Sequence, residues 1–257
     1  MNNIISKQYK VYNKMLVLDY DGTLAKSDYR VDEVTRRKLE ELEKQPVIRV
    51  INTGRSLFSL NNVIDKDFPV DYIVFSAGIG IYDWKRKDIL ESYSISGEDT
   101  QRIYSFLCDK NYDFMVQLPV PYNHYFHHFG DVRANSDFRQ RVSSYESYGI
   151  KAVKACPDLA SQFVVICPEG EDYFDCVRDV FPKLNVVKAT SPINNKSIWV
   201  EILPASISKA SGIDYLMKRY NIDINSIVVV GNDYYDLDML EYVNPQNAYV
   251  VDNSPTE

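Results

Sequence analysis

Short apolar runs alternate with amphipathic segments in the first and last parts of the chain. Their aliphatic and aromatic content predicts strands at residues 15–18, 47–51, 72–75, 198–203, 226–230 and 248–251. The segments between them have apolar positions at helical spacing, which predicts helices at residues 31–43, 56–63, 208–220 and 233–242. Strands separated by helices are typical of parallel β-α-β units. The pattern therefore predicts an α/β fold with a parallel sheet covered on both faces.

The middle of the chain, residues 82–187, has a different pattern and a higher aromatic content. Its strand-like pieces are residues 114–118, 163–166 and 185–188, and its helix-like pieces are residues 99–108, 137–148 and 171–181. A segment of this length can form a small α+β domain of its own. We therefore predict a core made of residues 1–82 and 188–257, and an inserted domain made of residues 83–187.

The composition is that of a globular protein with an acidic surface. The 257 residues are 45% hydrophobic and 25% charged, with a formal net charge of -7 and a pI of about 5.1. A general nucleic-acid binder needs a basic face, so this balance argues against nucleic acid as a partner. The acidic composition is still compatible with a small phosphorylated metabolite as the partner, because a local pocket can be positive on an acidic protein. No apolar run reaches the length of a signal peptide or of a membrane span, so we expect a soluble, cytoplasmic protein without a membrane partner.

The four cysteines are Cys108, Cys156, Cys167 and Cys176, and none of them forms a CxxC pair. No group of histidines and cysteines has the spacing of a zinc site. We therefore expect four reduced thiols, as in a cytoplasmic protein.

The first candidate site is LVLDYDGTL, in which Asp19 and Asp21 follow an apolar strand. Ligands of open α/β sheets bind at the carboxyl ends of the strands, which is where both acids lie. Two neighbouring carboxylates suit a shared divalent cation, which prefers oxygen ligands. They also suit a nucleophile beside a general acid.

Two further segments carry candidate phosphate ligands. In VINTGRS, the hydroxyl of Thr53 and the backbone of Gly54 and Arg55 follow a predicted strand and can cradle a phosphate, although a helix N-cap alone would explain the pattern. Lys209 lies early in a predicted helix, where a cation opposes the helix dipole. That position makes most sense if Lys209 meets a phosphate and a carboxylate.

The fourth segment is VVVGNDYYDLDML, in which Asn232, Asp233 and Asp236 follow a predicted strand. Asp236 comes three residues after Asp233, so one helical turn can bring both to the same face. Helix capping explains one of these acids but not the whole polar cluster.

Taken together and in this order, the four segments resemble the motifs of the haloacid dehalogenase superfamily. The resemblance is greatest to its Cof-type branch, in which a large α/β cap lies between the threonine and lysine motifs. It is looser to sucrose-phosphate phosphatases. It implies a Rossmann-like core, a phosphatase activity and an Mg²⁺ cofactor. By this resemblance Asp19 is the nucleophile, Asp21 the general acid and base, and Thr53 and Lys209 hold the phosphoryl oxygens.

The resemblance also implies a metal site, and the chain departs from the family pattern there. Mg²⁺ would be bound by the Asp19 side chain, the Asp21 carbonyl and an oxygen of the loop containing Asn232, Asp233 and Asp236. The usual metal aspartate of this loop is Asn232 here, and the usual asparagine is Tyr235. Either the Asn232 amide oxygen replaces the carboxylate, or Asp233 moves in by a one-residue shift.

The inserted segment is expected to select the substrate, because a cap closes over the core and excludes water. It contains all three histidines together with Arg133, Asn135 and Arg141, whose interleaving with aromatic residues suits a sugar or polyol phosphate. Arg133, Asn135 and Arg141 are the candidate substrate contacts. Two other functions stay open, a phosphohexomutase and a catalytically degenerate binding protein, and we expect a monomer or weak homo-oligomer.

Overall fold

The computed structural model describes residues 11–26, 28–131, 133–151 and 157–251, except for the side chains of residues 150 and 151. Its strands are β1 (Lys14–Leu18), β2 (Val47–Asn52), β3 (Tyr72–Phe75), β4 (Gly80–Asp83), β5 (Asp88–Ser92), β6 (Phe114–Gln117), β7 (Phe126–Phe129), β8 (Gly149–Lys151), β9 (Gln162–Ile166), β10 (Asn185–Thr190), β11 (Ile198–Leu203), β12 (Ile227–Gly231) and β13 (Ala248–Val250). Its α-helices are α1 (Glu33–Glu43), α2 (Leu57–Asn61), α3 (Gly97–Asp109), α4 (Ser136–Ser144), α5 (Phe174–Val180), α6 (Lys209–Tyr220) and α7 (Leu237–Tyr242). Each strand and helix predicted from the sequence is present, within a few residues at its ends.

The core sheet has the strand order β13-β12-β1-β2-β3-β4-β5. The pairs from β13 to β3 are parallel, and β4 and β5 add an antiparallel hairpin at one edge. The carboxyl ends of β1, β2 and β12 therefore meet at one edge of the sheet, which is where ligands bind in this kind of fold. The predicted α/β fold with a parallel sheet is confirmed, and the hairpin is an addition to it.

Apolar clusters cover the two faces of the core sheet. One contains Met15, Val50 and Val229 and packs against α6 and α7, and the other contains Leu18, Ile51 and Ile73 and packs against α1 and α2. The strands are buried on both sides, which explains why they appear in the sequence as continuous apolar runs.

A charged pair lies inside this apolar packing. The Nε and Nη2 atoms of Arg49 donate to the carboxylate of Asp71 at 2.9 and 3.0 Å, and Arg49 is fully buried. Its Nη1 donates to the carbonyl of Leu39, so β2, α1 and the segment before β3 are joined at one side chain. A buried charge of this kind is tolerated because each of the three guanidinium nitrogens has a hydrogen-bond partner and Asp71 supplies the opposite charge.

The inserted domain has its own sheet, with the order β10-β11-β9-β6-β7-β8. Its pairs are antiparallel except for the parallel pair of β7 and β8. Helices α3 and α5 cover one face, and α4 packs on the other through Phe138. This is the predicted α+β cap.

The predicted domain boundaries differ from the observed sheets at both ends of the cap. Residues 83–92, predicted as cap, contain β5 of the core sheet. Residues 188–203, predicted as core, contain the end of β10 and the whole of β11, which belong to the cap sheet. The alternation of strands and helices in the sequence identifies the elements, but it carries no information about which sheet a strand joins. This explains why both predicted boundaries differ from the observed ones.

The cap rests on the core at the edge where the parallel strands end. The ring of Phe58 in α2 stacks on His124 of the cap at 4.5 Å between centroids and meets the edge of Tyr148 at 4.9 Å. The buried side chain of Asn123 donates to Ser76 Oγ at 2.8 Å. The cap therefore lies closed over this edge of the sheet.

Two further expectations from the sequence concern the cysteines and membrane-spanning segments. Cys108, Cys167 and Cys176 are free thiols, and Cys156 lies outside the described residues. In the described ranges no helix combines the length and the apolar character needed to cross a membrane.

Candidate active site

Asp19 and Asp21 lie directly after β1, as predicted. The backbone N–H of Asp19 donates to the carbonyl of Val230, so the two strand ends are tied together at 3.0 Å. Gly22 then has a φ of +81°, a left-handed conformation that glycine adopts without the cost of a side chain. This turn directs the Asp19 side chain, which is only 5% exposed, into the edge of the sheet.

Lys209 is the buried cation of the site. Its Nζ donates to Asp19 Oδ1 and to Asp236 Oδ1, each at 2.6 Å. Burial by itself lowers the pKa of the Lys209 ammonium, but the two carboxylates raise it above its ordinary value. Burial raises the pKa of Asp19 to about 7, and the Lys209 charge opposes that rise. With a full positive charge so close, we take Asp19 as the carboxylate.

Neighbouring strands fix the position of Lys209. It is the first residue of α6, and its carbonyl accepts a hydrogen bond from the buried side chain of Asn52 at the end of β2. The next backbone N–H, that of Ala210, donates to the Asp238 carboxylate at 2.9 Å. Lys209 is only 3% exposed, so its ammonium group is held inside the site rather than solvated at the surface.

The loop after β12 is organised around Asp236. While Oδ1 of Asp236 accepts from Lys209, its Oδ2 accepts from the backbone N–H groups of Asn232 and Asp233 at 2.8 and 3.2 Å. The Asp233 carboxylate accepts from the N–H of Tyr234 and caps the following turn. Both acids are thus engaged inside the loop, and metal binding by either of them stays a prediction.

Asn232 is the loop residue that faces the two acids. The end of its side-chain amide lies 3.0 Å from Thr23 Oγ1, 3.0 Å from the Asp21 carbonyl oxygen and 3.3 Å from Asp19 Oδ2. With its nitrogen toward these oxygens, the amide donates hydrogen bonds to them. With its oxygen toward them, it adds one more oxygen to a cluster that contains a carboxylate and a carbonyl.

This cluster fits the requirements of Mg²⁺. Two ligands at right angles on an octahedral Mg²⁺ lie about 3 Å apart, which matches the spacing of the Asn232 amide from the Asp21 carbonyl and Asp19 Oδ2. Within the described ranges, no group of three or more His, Cys, Asp or Glu side chains could hold a metal. A site here would therefore depend on an amide and a backbone carbonyl, with Asp19 as the charged ligand.

The second motif lies on the other side of Asp19 and Asp21. Thr53 is fully buried at the end of β2, and its Oγ1 accepts from the backbone N–H of Arg55 at 3.1 Å. The Arg55 guanidinium donates through Nε and Nη2 to both oxygens of Asp21, each at 2.6 Å. Thr53, Gly54 and Arg55 were predicted to bind substrate; here Arg55 holds the second acid.

Comparison with known proteins identifies the family to which this arrangement belongs. The sequence profile of the haloacid dehalogenase-like hydrolases matches residues 16–257, almost the whole chain. The chain belongs to the haloacid dehalogenase-like hydrolase family. The resemblance drawn from the four motifs, including its Cof-type branch, is thereby confirmed, and so is the prediction of an enzyme.

Similar proteins extend over nearly all of the chain. YxeH of Bacillus subtilis is 22% identical over 239 residues, which cover 89% of this chain and 84% of YxeH. The 5-amino-6-(5-phospho-D-ribitylamino)uracil phosphatase YwtE of the same organism is 22% identical over 257 residues, with the same coverage. Relatives that carry phosphatase names support the phosphatase class predicted for this member of the family.

Solved structures of haloacid dehalogenase-like proteins have the same fold. BT1666 from Bacteroides thetaiotaomicron superposes with a TM-score of 0.73 at 18% identity, covering 100% of this chain and 90% of BT1666. The subclass IIB sugar phosphatase BT4131 superposes with a TM-score of 0.67 at 16% identity, covering 93% of each chain. At these identities the likeness establishes the α/β core and its cap.

Tyr235, which replaces the usual asparagine of the haloacid dehalogenase-like loop, connects the core to the cap. Its ring lies 5.4 Å from Lys209 Nζ, and a Cβ on Gly54 would come within 2.9 Å of it. Its hydroxyl donates to Glu201 Oε2 on the cap strand β11 at 2.5 Å. Sequence reasoning missed Glu201, although one acid inside the apolar run IWVEIL was a signal.

The predicted cap residues have three different environments. Arg133 is exposed. Asn135 is buried as the N-cap of α4, where its Oδ1 accepts from the N–H of Phe138 and its Nδ2 donates to the carbonyl of Ile166. Arg141 lies with its guanidinium 4.2 Å from the centre of the Tyr145 ring, and Tyr145 in turn interacts with Ser59 and Arg55 of the core. Of the three, Arg141 is therefore the one best placed to meet a substrate.

Proposed function

We propose that this chain is an Mg²⁺-dependent phosphomonoester hydrolase that acts on a small sugar or polyol phosphate through a phospho-aspartyl intermediate on Asp19. The observation that carries the proposal is the convergence of Asp19 and Asp21 with the buried Lys209 at one edge of the core sheet. Two relatives with a substrate in their names support a hydroxylated leaving group. BT4131 is named a sugar phosphatase, and the substrate of YwtE carries a phosphorylated ribityl chain.

In the first step, a carboxylate oxygen of Asp19 attacks phosphorus and the bond from phosphorus to the leaving oxygen breaks. The leaving oxygen takes a proton from the carboxyl group of Asp21, so an alcohol departs. Lys209 stabilises negative charge on the phosphoryl oxygens, and the hydroxyl of Thr53 donates to one of them.

In the second step, water attacks phosphorus and gives a proton to Asp21. The bond from phosphorus to Asp19 breaks, inorganic phosphate leaves, and Asp19 is a carboxylate again. Asp21 is therefore the acid of the first step and the base of the second.

The residues suited to hold Mg²⁺ are Asp19 through Oδ2, Asp21 through its carbonyl oxygen and Asn232 through its amide oxygen. When bound, Mg²⁺ supplies positive charge that offsets the repulsion between the nucleophile and the phosphoryl group.

Arg55 controls whether a carboxylate oxygen of Asp21 is available for proton transfer. Arg55 donates to both carboxylate oxygens of Asp21, so the guanidinium occupies both atoms that could exchange a proton with substrate or water. A bound substrate offers Arg55 a second anion, the phosphoryl group, at the same place. Movement of Arg55 from Asp21 to substrate would free one carboxylate oxygen for acid catalysis.

The test is phosphate release with and without Mg²⁺ from a panel of sugar, polyol and nucleoside monophosphates. Asp19→Asn is the matched variant, because it keeps the shape of the side chain and removes the nucleophile. We expect Mg²⁺-dependent release by the unmodified enzyme and its loss, by a factor of about 10³ or more, in Asp19→Asn.

Three outcomes would count against the proposal. Release that is unchanged in Asp19→Asn would place the nucleophile elsewhere. Isomerisation of a hexose phosphate without phosphate release would favour the phosphohexomutase, and binding without turnover would favour a degenerate binding protein.

A further inference from the structure

Three polar side chains form a row across the apolar face of the cap sheet that is turned toward the core. They are Gln117 on β6, Gln162 on β9 and Glu201 on β11, which are neighbouring strands. Gln117 and Gln162 lie opposite each other in the β6–β9 pair, and Gln162 Nε2 donates to Glu201 Oε2 at 2.7 Å. We call these three residues the polar row.

The alternation of the strands fixes the side on which the polar row lies. In β11, Val200 and Ile202 pack under α3 and α5 on the outer face, so Glu201 points to the opposite face. Along the same inner face, Trp199 belongs to the apolar cluster under α4. The polar row is therefore a break in an apolar surface at the end nearest the core.

The polar row contains atoms for which the protein supplies no partner. Gln117 is 7% exposed, and its Oε1 is buried without a hydrogen-bond partner. Among the described residues, both donors to Glu201 reach Oε2, and no hydrogen bond or ion pair to Oε1 is present. Burial raises the pKa of Glu201, whereas Tyr235, Arg141 and Lys209 lower it. A buried acceptor without a donor is costly, so the Gln117 Oε1 atom suggests that a ligand supplies the missing donor.

One chain of contacts leads from the nucleophile to the polar row. Asp19 pairs with Lys209 at 2.6 Å, Lys209 lies 5.4 Å from the ring of Tyr235, and the Tyr235 hydroxyl donates to Glu201. Glu201 is thus one tyrosine ring beyond the lysine that faces the phosphoryl group.

A second chain of contacts leads from the general acid to the same place. Asp21 pairs with Arg55, and the charge of Arg55 acts on Tyr145 of the cap. Tyr145 lies under the guanidinium of Arg141, whose buried Nε has no partner and whose charge acts on Glu201. The two chains of contacts start from Asp19 and Asp21 and converge on Glu201, which places the polar row beside the two acids on the cap side.

We propose that Gln117, Gln162 and Glu201, with Arg141 beside them, form the subsite for the leaving group, and that this subsite takes an uncharged polyhydroxylated chain or ring. The proposal rests on the proposed phosphatase function. Acceptors outnumber donors in the row, so hydroxyl groups that donate are the matching chemistry. A second anionic group on the substrate would meet the Glu201 carboxylate and be repelled.

The test measures binding rather than turnover, so that it stands apart from the phosphatase test. Isothermal titration calorimetry on Asp19→Asn compares sorbitol 6-phosphate, glucose 6-phosphate, ribitol 5-phosphate and methyl phosphate, which has no hydroxyl group on its leaving group. We expect at least one hydroxylated ester to bind about tenfold or more tightly than methyl phosphate. Glu201→Gln in the same background should remove most of that advantage.

Two controls separate a contact from a structural effect. Glu171→Gln changes an exposed carboxylate of the cap and should leave all four affinities unchanged. The second control uses analogues of the best ester that each lack one hydroxyl group, which test the contact without any substitution in the polar row. One of them should bind about tenfold more weakly to Asp19→Asn, and Glu201→Gln should abolish that difference.

The results that would overturn the subsite are specific. They are equal affinity for methyl phosphate and every hydroxylated ester, an equal loss for all esters in Glu201→Gln, or additive effects of the analogues and Glu201→Gln. Tight, Glu201-dependent binding by a protein that releases no phosphate would instead keep the subsite and overturn the phosphatase.

Discussion

Asn232 is the residue at which this chain departs most clearly from its family, and its amide can serve two states of the site. Its nitrogen can donate to the Asp21 carbonyl and Asp19 Oδ2, and its oxygen can join the same atoms around a cation. An amide oxygen brings no charge to the metal, so we expect Mg²⁺ to bind more weakly than it does with a carboxylate at this position.

Substitution of Asn232 tests this assignment. Asn232→Asp adds a charged oxygen and should lower the Mg²⁺ concentration for half-maximal phosphate release, whereas Asn232→Ala should raise it roughly tenfold or more. Calorimetric titration with Mg²⁺ checks the same order without substrate. Asp233→Ala is the control, because Asp233 already caps the turn at Tyr234. A larger effect in Asp233→Ala than in Asn232→Ala would transfer the metal-ligand role to Asp233.

The pair of Arg49 and Asp71 gives a prediction about stability and pH. Burial by itself raises the pKa of Asp71, but hydrogen bonds and charge from Arg49 and Lys85 lower it below its ordinary value of 3.8. A carboxylate with a lowered folded pKa stabilises the fold above its unfolded pKa, and this stabilisation is lost as the pH falls through the folded pKa.

Asp71→Asn should therefore lower the free energy of unfolding at pH 7 by about 3–5 kcal/mol, because it leaves Arg49 buried without its anion. The difference from the unmodified protein should shrink as the pH falls below about 4. Urea denaturation at pH 7, 4 and 3 measures it, with the exposed Asp67→Asn as control. A difference that is constant across these pH values would mean that packing, not charge, explains the loss.

At the scale of elements, the approach of α6 to β3 sets the position of Lys209. Gly212 lies one turn after Lys209, and a Cβ at Gly212 would lie against the side chain of Val74. Gly212→Ala should push α6 away from the sheet, with a loss of about 1–3 kcal/mol in unfolding free energy and a fall in kcat.

The matched double variant separates this clash from other effects. Val74→Ala alone leaves a cavity, and combined with Gly212→Ala it provides room for the new methyl group. We expect the double variant to be more stable, and faster in phosphate release, than the sum of the single effects predicts. Additive losses in chemical denaturation would show that the two positions do not meet.

The sequence predicted elements better than it predicted sheets. Strands β1, β2 and β12 appear as largely apolar runs because both of their faces are buried, and the polar residues that follow them mark the site. Strands β4, β5, β7 and β8 were not predicted, since GIYD, DILES, FHHF and GIK are short, polar or mixed. The membership of β11 in the cap sheet depends on pairing with distant strands, which no local pattern records.

The side-chain contacts of the site were predictable only where a motif names them. Asp19, Asp21 and Lys209 stand in family motifs, and the structure brings them together. Glu201 and Gln117 carry no motif, and Asn135 has the composition of a ligand but serves as a helix cap. A polar residue inside an apolar strand can be recognised in the sequence, whereas the side chains that it contacts cannot.

At the scale of the whole molecule, a cap that lies closed on the core must open to admit substrate. Phe58 joins the two domains by stacking on His124 and by an edge contact with Tyr148. Aromatic pairs of this kind contribute about 0.5–1.5 kcal/mol, so their loss should lower the ratio of closed to open molecules about two- to tenfold.

Phe58→Ala should accordingly raise KM for the best substrate about two- to tenfold. Hydrogen exchange of the backbone amides at residues 122–126 should become faster, because this part of the cap loses its partner on α2. Tyr122→Ala, which changes an exposed ring in the same loop, is the control. Unchanged exchange in Phe58→Ala would mean that the other contacts alone keep the cap closed.

The return path of the chain from cap to core has a consequence for the exchange of domains between relatives. Only residues 204–208 separate the end of β11 from Lys209. Consider a hybrid enzyme that has the core of this protein and the cap of a relative. If the junction from cap to core lies before β11, the hybrid keeps Glu201 of this protein. If it lies after Lys209, the hybrid receives the start of α6 from the relative together with the cap. A junction within residues 204–208 would keep Glu201 with its cap and Lys209 with its core, so a clean exchange of caps has to cross the chain within these five residues.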